Sequence, residues 1–277
     1  MKASDALRDA VAYLGAAGVP GPERDARLLL AHALDVKPDR LLLHLTEDLA
    51  EDAGNRFDAA IARRALREPV SHITGTRMFY GRAFHVSKHA LDPRPETECL
   101  IEAALGGAFK SVLDLGLGTG CIIMTLLTEN VNACGVGVDA SAEALAVARA
   151  NVDRFELADR VDLRQGDWFS TVTEQFDLIV SNPPYIAMSE IPTLSEEVSG
   201  HEPHIALTDF GDGLGAYRAI CAKAPEHLHN GGRLLVEIGP SQGGDVCRLM
   251  QEAGLTQVMI LPDLDGRDRV VSARKPE

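Results

Sequence analysis

From residue 93 onward, short and mostly apolar runs alternate with longer amphipathic stretches, a rhythm that leaves few folds open. Residues 110–115, 134–138, 161–164, 176–180 and 233–238 have the length and make-up of strands. Residues 119–128, 142–156 and 214–227 lie between them with helical spacing. In 142–156, Leu145, Ala148, Val152 and Phe155 form one apolar stripe. Such alternation predicts an α/β domain, a mostly parallel sheet covered by helices on both faces. Ligands of these sheets bind beyond the carboxyl ends of the strands, so strand ends are where chemistry is to be sought.

The first 92 residues differ. Residues 1–75 read as a small helical bundle, with Pro20, Pro22, Pro38 and Pro69 at helix ends and Phe57, Ile61 and Leu66 sharing a face. In 70–92, aromatic and β-branched residues around Gly75 and Gly81 predict a β-hairpin connector. The expected organisation is therefore a helical domain over 1–75, a hairpin linker over 76–92 and a larger α/β domain over 93–277.

Acids outnumber bases by 41 to 27, and 29 of those acids fall in residues 76–277. That field repels duplex nucleic acid, so direct nucleic-acid binding is not expected. No stretch approaches the roughly 18 apolar residues of a membrane span, and the N-terminus lacks a signal-peptide core, which predicts a cytoplasmic protein. The five cysteines (Cys99, Cys121, Cys134, Cys221, Cys247) are scattered singly and read as small core hydrophobes. Nothing demands more than a monomer.

Four strand ends carry chemistry. The first strand runs into Gly116-Leu117-Gly118-Thr119-Gly120, where glycines let a ligand approach the backbone; the dinucleotide pattern G-x-G-x-x-G is missed. The second strand ends on Asp139, an acid placed to accept hydrogen bonds from two ribose hydroxyls, with Ser141 free to cap the next helix. Together they indicate a nucleoside cofactor. The third ends in Gly166-Asp167-Trp168, where a carboxylate and the only Trp could hold an adenine ring. The fourth ends in Asn182-Pro183-Pro184-Tyr185. Two prolines present Asn182 rigidly. Its side-chain oxygen and the Pro183 carbonyl can accept both N–H bonds of a planar NH2 group, and Tyr185 offers a flat apolar face. An amide nitrogen is a poor nucleophile. Holding both protons and aiming its lone pair at an electrophilic methyl is catalysis by positioning.

These motifs, with Pro69-Val70-Ser71-His72-Ile73-Thr74-Gly75, Pro93-Arg94-Pro95-Glu96-Thr97-Glu98, His201-Glu202-Pro203 and the closing D-L-D-G-R-D-R-V, resemble the release-factor glutamine methyltransferases, the PrmC/HemK family. The resemblance covers nearly the whole chain. It implies a seven-stranded, doubly wound, Rossmann-like methyltransferase sheet. It implies N5 methylation of the Gly-Gly-Gln glutamine of peptide chain release factors, with S-adenosylmethionine held by residues 116–120, Asp139, Asp167, Trp168 and Asn182. The glutamine would be held by Asn182, Pro183, Pro184 and Tyr185, with Arg94 and Glu98 near the mouth. The helical domain would dock the release factor. Leu117 departs from the small polar residue usual in this loop, and His201 from an aromatic. Adenine-N6 and cytosine-N4 DNA methyltransferases share N-P-P-Y and remain an alternative, as does another protein Gln or Asn. A cofactor-binding scaffold is a third, although it has no need of a nitrogen acceptor.

The pairs His201/His204 and His227/His229 lack a matched third ligand, so no metal site is expected. The acids at 263, 265 and 268 read as a turn before the last strand.

Overall fold

In the computed structural model, which describes residues 1–277, the chain divides into two units. One comprises Met1–Thr76 with Ser195–His201, the other Arg77–Leu194 with Glu202–Glu277.

The first unit holds α1 (Ala3–Ala16), α2 (Pro22–Ala33), a 3-10 helix (Pro38–His44), α3 (Glu51–Ala65) and α4 (Val70–Thr74). Pro22 opens α2, where its missing N–H would have had no partner anyway. Ala3, Ala6 and Ala10 pack in the same core as Leu29, Leu30 and Phe57. Leu66 does not join that face: α3 stops at Ala65, and Leu66 turns out to solvent. Buried among these helices, Arg64 bonds Asp25 at 2.7 Å and Glu197, from the segment Ser195–His201, at 3.0 Å. The hairpin begins at Thr76, at the start of the linker expected over 76–92. Val70–Thr74 is helical, and left-handed Gly75 (φ 70°) ends the turn before the strand begins.

β1 (Thr76–Phe79) and β2 (Arg82–His85) form the hairpin. They are followed by α5 (Glu98–Leu105), β3 (Ser111–Leu115), α6 (Cys121–Glu129), β4 (Cys134–Asp139), α7 (Ala142–Arg154), β5 (Val161–Gln165) and β6 (Phe176–Ser181). Then come α8 (Glu196–His201, within the first unit), α9 (His204–Leu207), α10 (Gly215–His227), β7 (Leu228–Glu237), α11 (Gly243–Glu252), β8 (Thr256–Pro262) and β9 (Asp268–Arg274). The hairpin is tied to α7: Asn151 accepts from the His85 N–H at 2.7 Å and donates to its carbonyl at 2.9 Å. The Phe84 and Phe155 rings meet at 4.7 Å.

The sheet is seven-stranded in the order β5-β4-β3-β6-β7-β9-β8, as the family resemblance implied. β3 to β7 are parallel, and β9 runs antiparallel between β7 and β8. Side chains alternate between two apolar layers. Val112, Leu178 and Val180 face one, with Ile123 and Leu126; Leu113, Leu115 and Ile179 face the other, with Tyr217 and Ile220. The chain walks outward from β3 to β5 and then returns to β6 beside β3, which opens a crevice at their carboxyl ends.

All five cysteines are free. Only Cys121 and Cys221 are buried; Cys134, expected in the core, is exposed because it stands at the outset of β4, ahead of the apolar residues. Asp263 accepts the N–H groups of Asp265 and Arg267, closing the turn between β8 and β9. No helix is long and apolar enough to cross a membrane.

Candidate active site at the carboxyl edge of the sheet

A cavity of about 440 Å³ lies over the ends of β3, β4 and β6 within the second unit. Of the residues anticipated there, Gly116, Leu117, Gly118, Thr119, Asp139, Asp167, Trp168, Asn182 and Pro184 border it. Gly120, Pro183 and Tyr185 do not. Gly120 sits behind the loop, where a Cβ would collide with Met124, so its bareness serves the start of α6. Pro183 is buried, and Tyr185 packs into the apolar layer beneath.

The glycine loop is built for close approach. Gly116 and Gly118 have φ of 72° and 56°, a region that costs side-chain-bearing residues about 1 kcal/mol or more. A Cβ on Gly118 would meet no protein atom within 4 Å, so its open side faces free space. Leu117 turns the other way, 4% exposed, into the space left by Gly137. The departure from a small polar residue is therefore absorbed by the core.

Asp139 closes the loop onto β4. One carboxylate oxygen accepts the Gly118 N–H at 2.8 Å and the other the Ser141 N–H at 2.9 Å. Ser141 in turn caps α7 by accepting from the Ala144 N–H at 3.1 Å. Burial raises the Asp139 carboxyl above the usual range, while these N–H groups oppose the rise. A carboxylate has about four lone-pair directions, so acceptor capacity remains for hydroxyls in the cavity. Trp168 holds a left-handed backbone (φ 47°), a conformation that bulky residues rarely keep without constraint, and it faces Gly116 across the loop. Asp167 is exposed beside it.

At the end of β6, Ser181 donates to the Leu115 carbonyl at 2.6 Å and pins the strand to β3. Asn182 follows. Its side-chain NH2 donates to Thr97 Oγ1 at 3.2 Å, and its Oδ1 is buried without a hydrogen-bond partner. An unsatisfied buried acceptor costs roughly 1–3 kcal/mol, which a ligand N–H would recover.

Four neighbours carry no role in the sequence analysis, although Thr97 and Glu202 lie in motifs quoted there. Asp114, wholly buried in β3, accepts the Ile123 N–H at 3.2 Å and so ties the start of α6; burial raises its carboxyl well above the usual range. Thr97 supports Asn182. Glu237, 1% exposed at the end of β7, is pushed up to about 7 by burial, against the pull of the Thr97 hydroxyl and Arg269. Glu202 is buried with both oxygens 2.6 Å from Arg94, and burial outweighs that cation to bring it to about 7. An acid inside an apolar strand run (Asp114, Glu237) was the available signal. Arg94 does border the cavity, but Glu98 faces the hairpin, accepting the Tyr80 N–H at 2.8 Å. His201 meets the Leu66 carbonyl, and His227 stacks on Phe169 at 4.7 Å.

Known proteins bear on this arrangement. A model described as the PrmC N-terminal domain matches residues 5–75, and one described as the methyltransferase small domain matches residues 85–198. A release factor glutamine methyltransferase from Cereibacter sphaeroides is 57% identical over 276 residues, 100% of this chain and 99% of that protein. One from Caulobacter vibrioides is 42% identical over 97% of this chain and 92% of its own length. A methyltransferase from Pyrococcus furiosus shares the fold, with a TM-score of 0.54 at 16% identity over 80% of this chain and 99% of that one.

Proposed function

The chain belongs to the release factor glutamine methyltransferase family, and from that membership we propose that it methylates the side-chain amide nitrogen (N5) of the Gly-Gly-Gln glutamine in peptide chain release factors, with S-adenosylmethionine as donor. The observation that carries the reading at the level of chemistry is Asn182, which borders the cavity shared with the glycine loop and whose amide oxygen is buried without a partner.

The residues present suit the donor. Open-faced Gly118 allows its close approach, Asp139 retains acceptor capacity for ribose hydroxyls, and the half-buried Trp168, set against Gly116, offers a face for adenine. When bound, S-adenosylmethionine supplies an electrophilic methyl group. The chain's own residues position the nucleophile. Asn182 Oδ1 and the Pro183 carbonyl accept the two N–H bonds of the glutamine amide, which turns the nitrogen lone pair toward the methyl. Half-buried Pro184 provides the apolar wall expected of Tyr185, which packs into the apolar layer instead. The helices of the first unit would dock the body of the release factor.

The test is mass spectrometry of an unmodified release factor incubated with the protein and S-adenosylmethionine, beside an Asn182→Ala control. One added methyl on the glutamine, absent with the variant, supports both substrate and site. No added methyl, with donor binding demonstrated, would sink the assignment.

A further inference from the structure

The register of the sheet brings three polar side chains into a row behind the cavity. Ser181 pairs with Val236, so Asn182 and Glu237 leave adjacent strand ends side by side. Thr97, 2% exposed in the turn before α5, accepts from the Asn182 NH2 at 3.2 Å, and its hydroxyl draws the Glu237 carboxyl down against the effect of burial.

Resting on the functional reading above and deepening it, we propose that Thr97, backed by Glu237, is the positioning residue that sets the direction of the Asn182 amide and so makes the site select a substrate NH2 group. An asparagine amide has nearly the same shape either way round, and only its neighbours decide which end points where. A threonine hydroxyl has one proton and two lone pairs. An ionised Glu237 carboxylate can only accept, so it draws the threonine proton to itself. Only lone pairs are then left for Asn182, which must answer with its NH2. The oxygen is thereby left as the acceptor for an incoming N–H. Were the amide reversed, its NH2 would confront the NH2 of the incoming glutamine, donor against donor.

Methylation kinetics and donor affinity of Thr97→Val and Thr97→Ser, beside the wild type, test this. Valine keeps the shape and removes the acceptor; serine keeps the hydroxyl. Thr97→Val should lose about tenfold to a hundredfold in kcat with donor affinity within about twofold, while Thr97→Ser stays within about threefold of wild type. Wild-type kcat in Thr97→Val, or equal losses in both variants, would overturn the proposal, the latter by reducing Thr97 to packing. Inactivity of the wild type would count against the release-factor reading instead. The amide is therefore also read directly, by NMR of protein labelled at asparagine nitrogen and assigned with Asn182→Ala. The Asn182 NH2 should be protected from exchange in wild type and Thr97→Ser and unprotected in Thr97→Val. Equal protection in all three overturns the inference whatever the substrate.

Discussion

The main-chain oxygen of Tyr185 occupies the space that a side chain on Gly213 would need. Gln242 bridges the two, its Nε2 donating to the Tyr185 carbonyl at 2.9 Å and to the Gly213 carbonyl at 3.1 Å. Gly213 also has φ 77°, so both space and backbone demand glycine. The segment after Asn182 is thus clamped from outside the motif that names it. Gly213→Ala should destabilise the protein by about 2–3 kcal/mol and lower kcat more than donor affinity. Urea unfolding and steady-state kinetics measure this, and unchanged values in both would remove Gly213 from the account.

Glu202 predicts a pH effect. Its carboxyl rises from the ordinary 4.5 to about 7, first through burial, with Arg94 pulling the other way. Between those values the folded state holds a proton that the unfolded chain has released. Stability therefore declines as pH rises from about 4.5 to 7. Glu237 shifts in the same direction, so each contributes a share. Glu202→Gln should flatten the decline in part. Arg94→Ala should cost about 1–3 kcal/mol at pH 8 and less at pH 6, where the stranded carboxyl protonates. Denaturant midpoints at the two pH values decide it; an equal loss at both would contradict the burial of Glu202.

Asp139 organises the loop as well as facing the cavity. Asp139→Ala frees the Gly118 and Ser141 N–H groups. Donor binding should weaken by about tenfold to a hundredfold, measured by calorimetry. Wild-type affinity would exclude Asp139 from the cofactor site.

In the first unit, Arg64 is the partner of buried Asp25 and half-buried Glu197. Arg64→Ala should cost about 3–5 kcal/mol, because it strands the buried Asp25 carboxylate, while Glu197 keeps Arg67 at 2.9 Å. Arg64→Met with Asp25→Leu should recover much of that loss. Chemical denaturation reads both, and a near-neutral Arg64→Ala would show the triad to be dispensable.

How far the site was legible follows from the range of the interactions. The glycine turn, Asp139 after β4 and Asn182 after β6 are local patterns: a strand end, a bend and a polar residue adjacent in sequence. Such neighbours stay together in any fold that honours the pattern. Within the aromatic and β-branched stretch of 70–92, Val70–Thr74 is helical, and Gly75 ends that turn before the hairpin. Leu66 was placed on a buried face because periodicity says nothing of where a helix stops.

By itself, the sequence determined the alternation of strands and helices, the parallel sheet and the strand ends where chemistry gathers, since these follow from periodicity and turn residues. Which way the Asn182 amide points was decided only in three dimensions. Thr97 lies 85 residues before Asn182 and Glu237 lies 55 after it, and only the return of β6 between β3 and β7 brings them together. Tertiary structure likewise withdrew Tyr185 behind the cavity wall and turned Glu98 away from the mouth. Hydrogen-bond direction and burial depend on what packs across the sheet, and no local pattern records that.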